Sequence, residues 1–360
     1  MKSSFTLKIL KVSSAAIAGF VLLAFGSIVS ADTFTGGGDG TSWEDPLNWA
    51  AGVVPPNNGG GNTAIGGHFV DFDANTWAAL TTAGNLQNAT QYRVVRFLLN
   101  EDASATGTGG ITFDQGAGNE VLQTNSNSSI FGSRAQTTTV NVLSGTVNTG
   151  ANTTFGARDG TGILNLQGGE FIVGRGNLTL GQESAGGTGI VNITGGELLT
   201  RGGANISSMA TFEVVGTGST QIGIGSQGSV DGFWSQLGGG VLRPGLDATG
   251  VTDILVDDVQ GGAGAGVATF DAGSILDPYD AGGFFLNTWE TVLDAEGGII
   301  DNGLALSGTS VAAGFEQRIL EGAGTNGGDL LQVRLVAVPE PSSLVLLGLG
   351  GLFFTRRRRS

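Results

Sequence analysis

The residues in this chain that could do chemistry are its carboxylates. Glycoside hydrolysis needs two of them flanking a sugar bond, about 5–10 Å apart. Candidate pairs are Asp71/Asp73, Asp257/Asp258, and Glu170 with Glu197. Glu170 and Glu197 hold equivalent places in a repeat, so adjacent strands would set them about 5 Å apart. Such a pair could raise one pKa, as an acid catalyst requires, or hold calcium. The plainer reading is a solvated polar column beside Thr146, because a repeated position is explained by the repeat before it is explained by a unique site. A lyase acting on acidic polysaccharide needs a base, and no lysine lies between residues 32 and 360. The single histidine, His68, cannot form a multi-histidine metal site and reads as a surface or turn residue. Gly38-Asp39-Gly40 and Asp71-Phe72-Asp73 have the composition of calcium loops without their spacing. We therefore expect no catalytic residues, no metal site and no cofactor, with calcium the one weak candidate.

The elements that would position these groups are strands. Thr139–Val147, Ile163–Phe171 and Ile190–Leu198 align, with Asn141, Asn165 and Asn192 spaced 24 and then 27 residues apart. Each asparagine is followed four residues later by a glycine: Gly145, Gly169 and Gly196. A second set, Asn152, Asn177 and Asn205, follows at 11, 12 and 13 residues. Thr211-Phe212-Glu213-Val214 reads as a fourth copy with glutamate in place of asparagine. Within each copy apolar residues alternate with polar ones, for example Val140 and Val142 around Asn141, which is the period of a strand. A period in the twenties built from short strands is the signature of a solenoid. Aligned Val, Leu and Ile would stack inward, and aligned asparagines would form an outward or corner ladder.

The expected fold is all-β: a right-handed parallel β-helix or related β-solenoid with β-rich N- and C-terminal caps. An antiparallel β-sandwich is the alternative. Expected boundaries are a signal peptide at 1–31, an N-terminal β cap at 32–105, solenoid repeats at 106–225, a C-terminal β region at 226–337 and a terminal segment at 338–360. The repeats resemble Gly-Gly-x-Leu rungs of bacterial surface solenoids. Trp43 and Trp49, flanking a turn, would close the open end of the stack, or alternatively offer a platform for sugars. Glycine, 66 of 360 residues, supplies the many turns such a stack needs, and the absence of cysteine leaves disulfides out of its stability.

The two ends address the chain. Lys2, Lys8 and Lys11 precede an apolar stretch, and Val29-Ser30-Ala31 offers small residues to signal peptidase, leaving Asp32 as the mature N-terminus. Between that point and the terminal arginine block nine arginines face 31 acidic residues, a formal net charge of −22. That surface repels nucleic acid. At the other end Pro339-Glu340-Pro341 precedes the apolar run 342–354 and the basic block Arg356, Arg357, Arg358 and Arg359. The run would be about 20 Å long as a helix, short for a roughly 30 Å hydrocarbon core. These residues resemble a bacterial PEP-CTERM sorting signal. The resemblance implies an exported protein of a Gram-negative bacterium and a transient inner-membrane anchor. It further implies processing by exosortase, and deployment at the cell surface or in an extracellular matrix with exopolysaccharide as a partner. The function expected is structural or adhesive, with a secreted polysaccharide-active β-helix enzyme as the alternative.

Overall fold

The computed structural model describes residues 32–54, 63–65, 69–83, 91–94, 97–99, 107–123, 128–182, 186–223, 232–250, 253–257 and 266–337. The signal-peptide residues Val29 and Ala31, His68, Asp258, and the tail with Pro339, Glu340, Pro341 and Arg356–Arg359 lie outside them.

Alternating apolar residues and glycine turns give a three-sided coil. One coil runs through Ser129–Ser133, Thr137–Ser144 and Thr146–Asn148. The next runs through Thr153–Ala157, Thr161–Leu166 and Glu170–Val173, and the same three-strand cycle continues. Each strand pairs in parallel with its counterpart one coil on, so three ten-stranded sheets line the stack. Nine strand spacings make the stack about 43 Å long. The fold is a parallel β-helix, as the alternation and the repeat predict.

The core is a set of stacked columns. In the second sheet Val140, Leu164, Val191, Phe212 and Leu242 follow one another in register, all with no exposure. In the third sheet Tyr92, Val121, Val147, Phe171 and Leu198 do the same. Phe131 and Phe155 stack face to face in the first sheet, 4.8 Å apart. Each buried aliphatic side chain contributes about 1.5–3 kcal/mol relative to exposure. The stack repeats that gain coil after coil without a disulfide.

The repeated glycines have a steric cause. Gly169 turns the chain from the second sheet to the third at φ +68°, and a Cβ there would sit 2.4 Å from the Gly145 carbonyl oxygen of the coil beside it. Left-handed backbone and close stacking therefore coincide at one residue.

The stack is longer than the repeat that reveals it. Parallel pairing starts with Asp32–Phe34 on Thr63–Ile65 and runs to Gly298–Asp301 and Ala305–Leu306. Residues 106–225 are therefore the part with a legible signature, and most of 226–337 continues the same three sheets. Among the described strands, antiparallel pairing is found at the end. Phe315–Leu320 pairs with Asp329–Leu335, which pairs with Glu290–Ala295, so the last described strand lies inside its sheet and not at the edge. The N-terminal region is not purely β. Helix α1, Ala74–Thr82, starts where the Asp73 carboxylate accepts hydrogen bonds from the backbone N–H groups of Asn75 and Thr76. A second short helix, α2, Gly308–Ala313, is capped by Ser307. Within the C-terminal region expected to be β, the segment 284–289 is loop.

Trp43 and Trp49 close the N-terminal end. They are fully buried, meet edge to face at 4.8 Å, and Trp49 Nε1 donates to the Trp43 carbonyl at 2.8 Å. Phe72 and Tyr92 complete the cluster at 5.3 and 6.2 Å from Trp43. Rings this buried present no face to a sugar, which decides between the two readings of the pair. Asp39 belongs to the same turn. Its carboxylate accepts from the Thr41 and Ser42 backbone N–H groups and from Asn48 Nδ2. Bonds from Ser42, Asn48 and Thr41 hold its pKa well below the usual carboxylate range. Gly38-Asp39-Gly40 is thus a hydrogen-bonded turn.

Candidate functional site

Three outward features of the coil could meet a ligand. The first is the asparagine column of the second sheet. Asn165 Nδ2 donates to Asn141 Oδ1 and Asn192 Nδ2 to Asn165 Oδ1, both at 2.9 Å, and Asn141 Nδ2 donates to Thr112 Oγ1 at 3.2 Å. The column continues in register through Glu213 to Arg243, whose guanidinium bridges Glu213 at 3.1 Å and Asp277 at 3.4 Å. Tyr279 donates to Glu213 at 2.7 Å, and its own pKa is pushed up to about 12 by burial and by that glutamate. Each ladder amide therefore gives one N–H to its neighbour in the column. Asn165→Asp should cost about 1–3 kcal/mol, because an acceptor would then face the Asn141 oxygen across a partly buried gap. Urea denaturation measures this.

The second asparagine set lies at a corner. Asn152 Oδ1 accepts from the Asn177 backbone N–H at 2.8 Å, and Asn177 Oδ1 from that of Gly203 at 2.9 Å. Asn205 does not join them. It pairs with Thr179, and Gly203 holds the place in the corner column, because the turn after Glu197 reaches the corner two residues earlier than a count of asparagines suggests.

The second feature is the glutamate column of the third sheet. Glu170 and Glu197 are register partners on adjacent strands, as their repeat positions imply. Thr146 Oγ1 donates to Glu170 and Gln221 Nε2 to Glu197, each at 3.0 Å. Glu120 accepts from Gln91 at 2.5 Å and from Asn148 at 3.2 Å. Of Asp71 and Asp73, Asp73 caps α1, and Asp71 lies in the outward column of the second sheet. Burial, then the charges of Asp73, Asp39 and Glu44, raises the Asp71 pKa. Among the described residues no group of three or more metal-binding side chains converges.

The third feature was not foreseen. A concavity of about 270 Å³ opens at the corner after the third sheet, lined by Arg93, Leu122, Gln123, Asn148, Arg175 and Arg201. It crosses the strands from Gln91–Val94 to Glu197–Thr200, four strand spacings or about 19 Å. Glycine makes the room: at Gly174, in the floor, a Cβ would lie 2.6 Å from Asn148 Oδ1. Arg93 Nε donates to Gln91 Oε1 at 2.8 Å, which holds that side chain along the strand. Among the described residues that line the concavity there is no carboxylate, although the neighbouring column is acidic. Three of the nine arginines between the signal region and the tail thus gather on one short groove of a chain with net negative charge. Each arginine is isolated in sequence. The usable hint was that Arg175 and Arg201 both follow a repeat glutamate by four or five residues.

What the scaffold is for is narrowed by its tail. The model of the PEP-CTERM protein-sorting motif matches residues 337–359. The chain carries a PEP-CTERM signal. A PEP-CTERM protein is exported and is processed by exosortase, which is this chain's processing partner. The match coincides with the segment from Pro339 to Arg359 and leaves the rest of the chain unassigned. No curated protein and no solved structure matches the chain. Among the described residues no helix is long and apolar enough to cross a membrane, and the apolar run 342–354 lies outside them.

Proposed function

We propose that this PEP-CTERM protein is a non-enzymatic component of the cell surface or extracellular matrix that holds an acidic exopolysaccharide along its arginine groove. The observation that carries the ligand class is the groove itself: three guanidinium groups, amide side chains and an apolar patch at Leu122, with no carboxylate among the described residues of the lining. Guanidinium pairs with carboxylate through two parallel hydrogen bonds. The groove is open at the surface and about four coils long, which suits a chain and not a small molecule. Because the asparagines of the ladder are already tied to one another, the groove is the face we expect to contact sugar.

The test uses the processed protein from its host, with polygalacturonate as the acidic probe and dextran as the neutral one. Polygalacturonate should bind with an affinity that falls as salt rises, and Arg175→Glu with Arg201→Glu should weaken it at least tenfold. Equal binding of dextran, or no loss in the double variant, would defeat the reading. The enzymatic alternative is favoured by one observation, the register of Glu170 with Glu197. On that reading the same polymers would be cut, and Glu170→Gln or Glu197→Gln would abolish the cutting.

A further inference from the structure

The loop 283–289 puts large apolar side chains into solvent. Phe285 is 68% exposed and Leu286 52%. The loop is pinned rather than loose: the Asn287 backbone N–H donates to the Leu335 carbonyl at 2.8 Å. Leu335 ends the last described strand, two residues before the description stops at 337. The apolar run begins at Ser342, seven residues beyond Leu335, so at most about 25 Å of extended chain separates it from the loop. Pro339 and Pro341 favour that extended form.

The loop's neighbours suit a membrane surface. Trp289 lies between two guanidinium groups, Arg318 at 4.2 Å and Arg334 at 4.5 Å from its ring. Arg318 donates to Gln332, while Arg334 is bridged to Glu316 at 2.5 Å. Tryptophan and arginine are the side chains that settle at the headgroup level, with apolar tips below them. Glu290 and Glu316 are the acidic groups beside this cluster, so anionic lipid is not specially favoured there.

We propose that Phe285 and Leu286 form a membrane-resting tip, which dips into the bilayer surface while the tail is seated in it and fixes the C-terminal end of the stack against the lipid. This rests on the reading of 342–354 as a transient membrane anchor. The tip is too small to bind lipid alone. Tethering by the tail raises its effective concentration at the surface, so the contact forms before exosortase acts and is lost after the tail is removed.

The absence of cysteine permits a direct test. Single cysteines are placed in the full-length chain at Leu286→Cys, at Ser343→Cys in the tail, and at Leu47→Cys. Leu47 is 67% exposed in the N-terminal turn. Each is labelled with a fluorophore and the protein is reconstituted into phosphatidylethanolamine–phosphatidylglycerol vesicles containing nitroxide lipid. Quenching at 286 should exceed that at 47 several-fold, and access of aqueous iodide to 286 should fall to match. Quenching at 343 with 286 no different from 47 would overturn the tip and leave the anchor standing. No quenching at 343 would overturn the anchor and the tip with it. Protection of 286 from iodide without vesicles, growing with protein concentration, would assign the patch to a second copy of the chain and also overturn the proposal.

Discussion

Replacing Gly169 with alanine is expected to destabilise the stack by about 3 kcal/mol or more. An L-residue held in left-handed backbone costs about 1–2 kcal/mol by itself. Here the new Cβ would also stand 2.4 Å from the Gly145 carbonyl oxygen and 3.0 Å from the Gly145 nitrogen. Both are backbone atoms of a paired coil, so neither can turn aside as a side chain would, and the rungs must part. Gly186→Ala isolates the conformational share. Its φ is +75°, but nothing lies within 4 Å of the added Cβ, so about 1–2 kcal/mol is expected there. Guanidinium denaturation of both variants gives the difference, and hydrogen exchange should show loss of protection spreading from Gly145 and Gly196 in the Gly169 variant. Equal effects at the two sites would mean that stacking contact contributes nothing beyond φ.

Removing the lid should be as severe. Trp43→Ala deletes a fully buried ring from a cluster with Trp49, Phe72 and Tyr92. The expected cost is about 3–5 kcal/mol. The turn bearing Trp43 also covers the end of the second sheet: Asp71 donates its backbone N–H to Thr41 and receives one from Trp43. Loosening that turn bares an unpaired strand edge, a template for another chain. Light scattering should therefore rise with protein concentration in the variant as its stability falls. Trp43→Phe separates packing from the indole. Trp43 Nε1 has no hydrogen-bond partner among the described residues, so phenylalanine should cost well under half as much as alanine. A monomeric, fully stable Trp43→Ala protein would show that the stack does not need this closure.

The central fold was legible because three signals coincided in each copy: alternation, a glycine at a fixed offset and an outward asparagine. They placed Leu164 and Leu166 inward and Asn165 outward, as found. Beyond residue 225 the coils lengthen, and that hid the rest. First-sheet partners lie 25 and 26 residues apart at Thr153, Leu178 and Ala204, then 30, 34 and 31 apart at Trp234, Ala268 and Ile299. The core columns of the first sheet also change character, with Trp234 and Gln236 following Leu178, Leu180, Ala204 and Ile206 of the two preceding coils. Helix α1 escaped notice because its inward residues, Thr76, Trp77 and Leu80, span barely one turn. The arginine groove was invisible for another reason. It joins Arg93, from a strand without the repeat signature, to Arg175 and Arg201 at corners, and only the register of five strands makes them neighbours.

The placing of the last described strand has a mechanical consequence. Asp329–Leu335 has a partner on each side, and the sorting tail leaves directly from it. A strand at a sheet edge, pulled across its length, peels away one bond at a time. This one, pulled along its length, would load its hydrogen bonds to Glu290–Ala295 and Phe315–Leu320 in shear and together. If the tail tethers the protein as proposed, drag on the body would be borne by a strand clamped between two others.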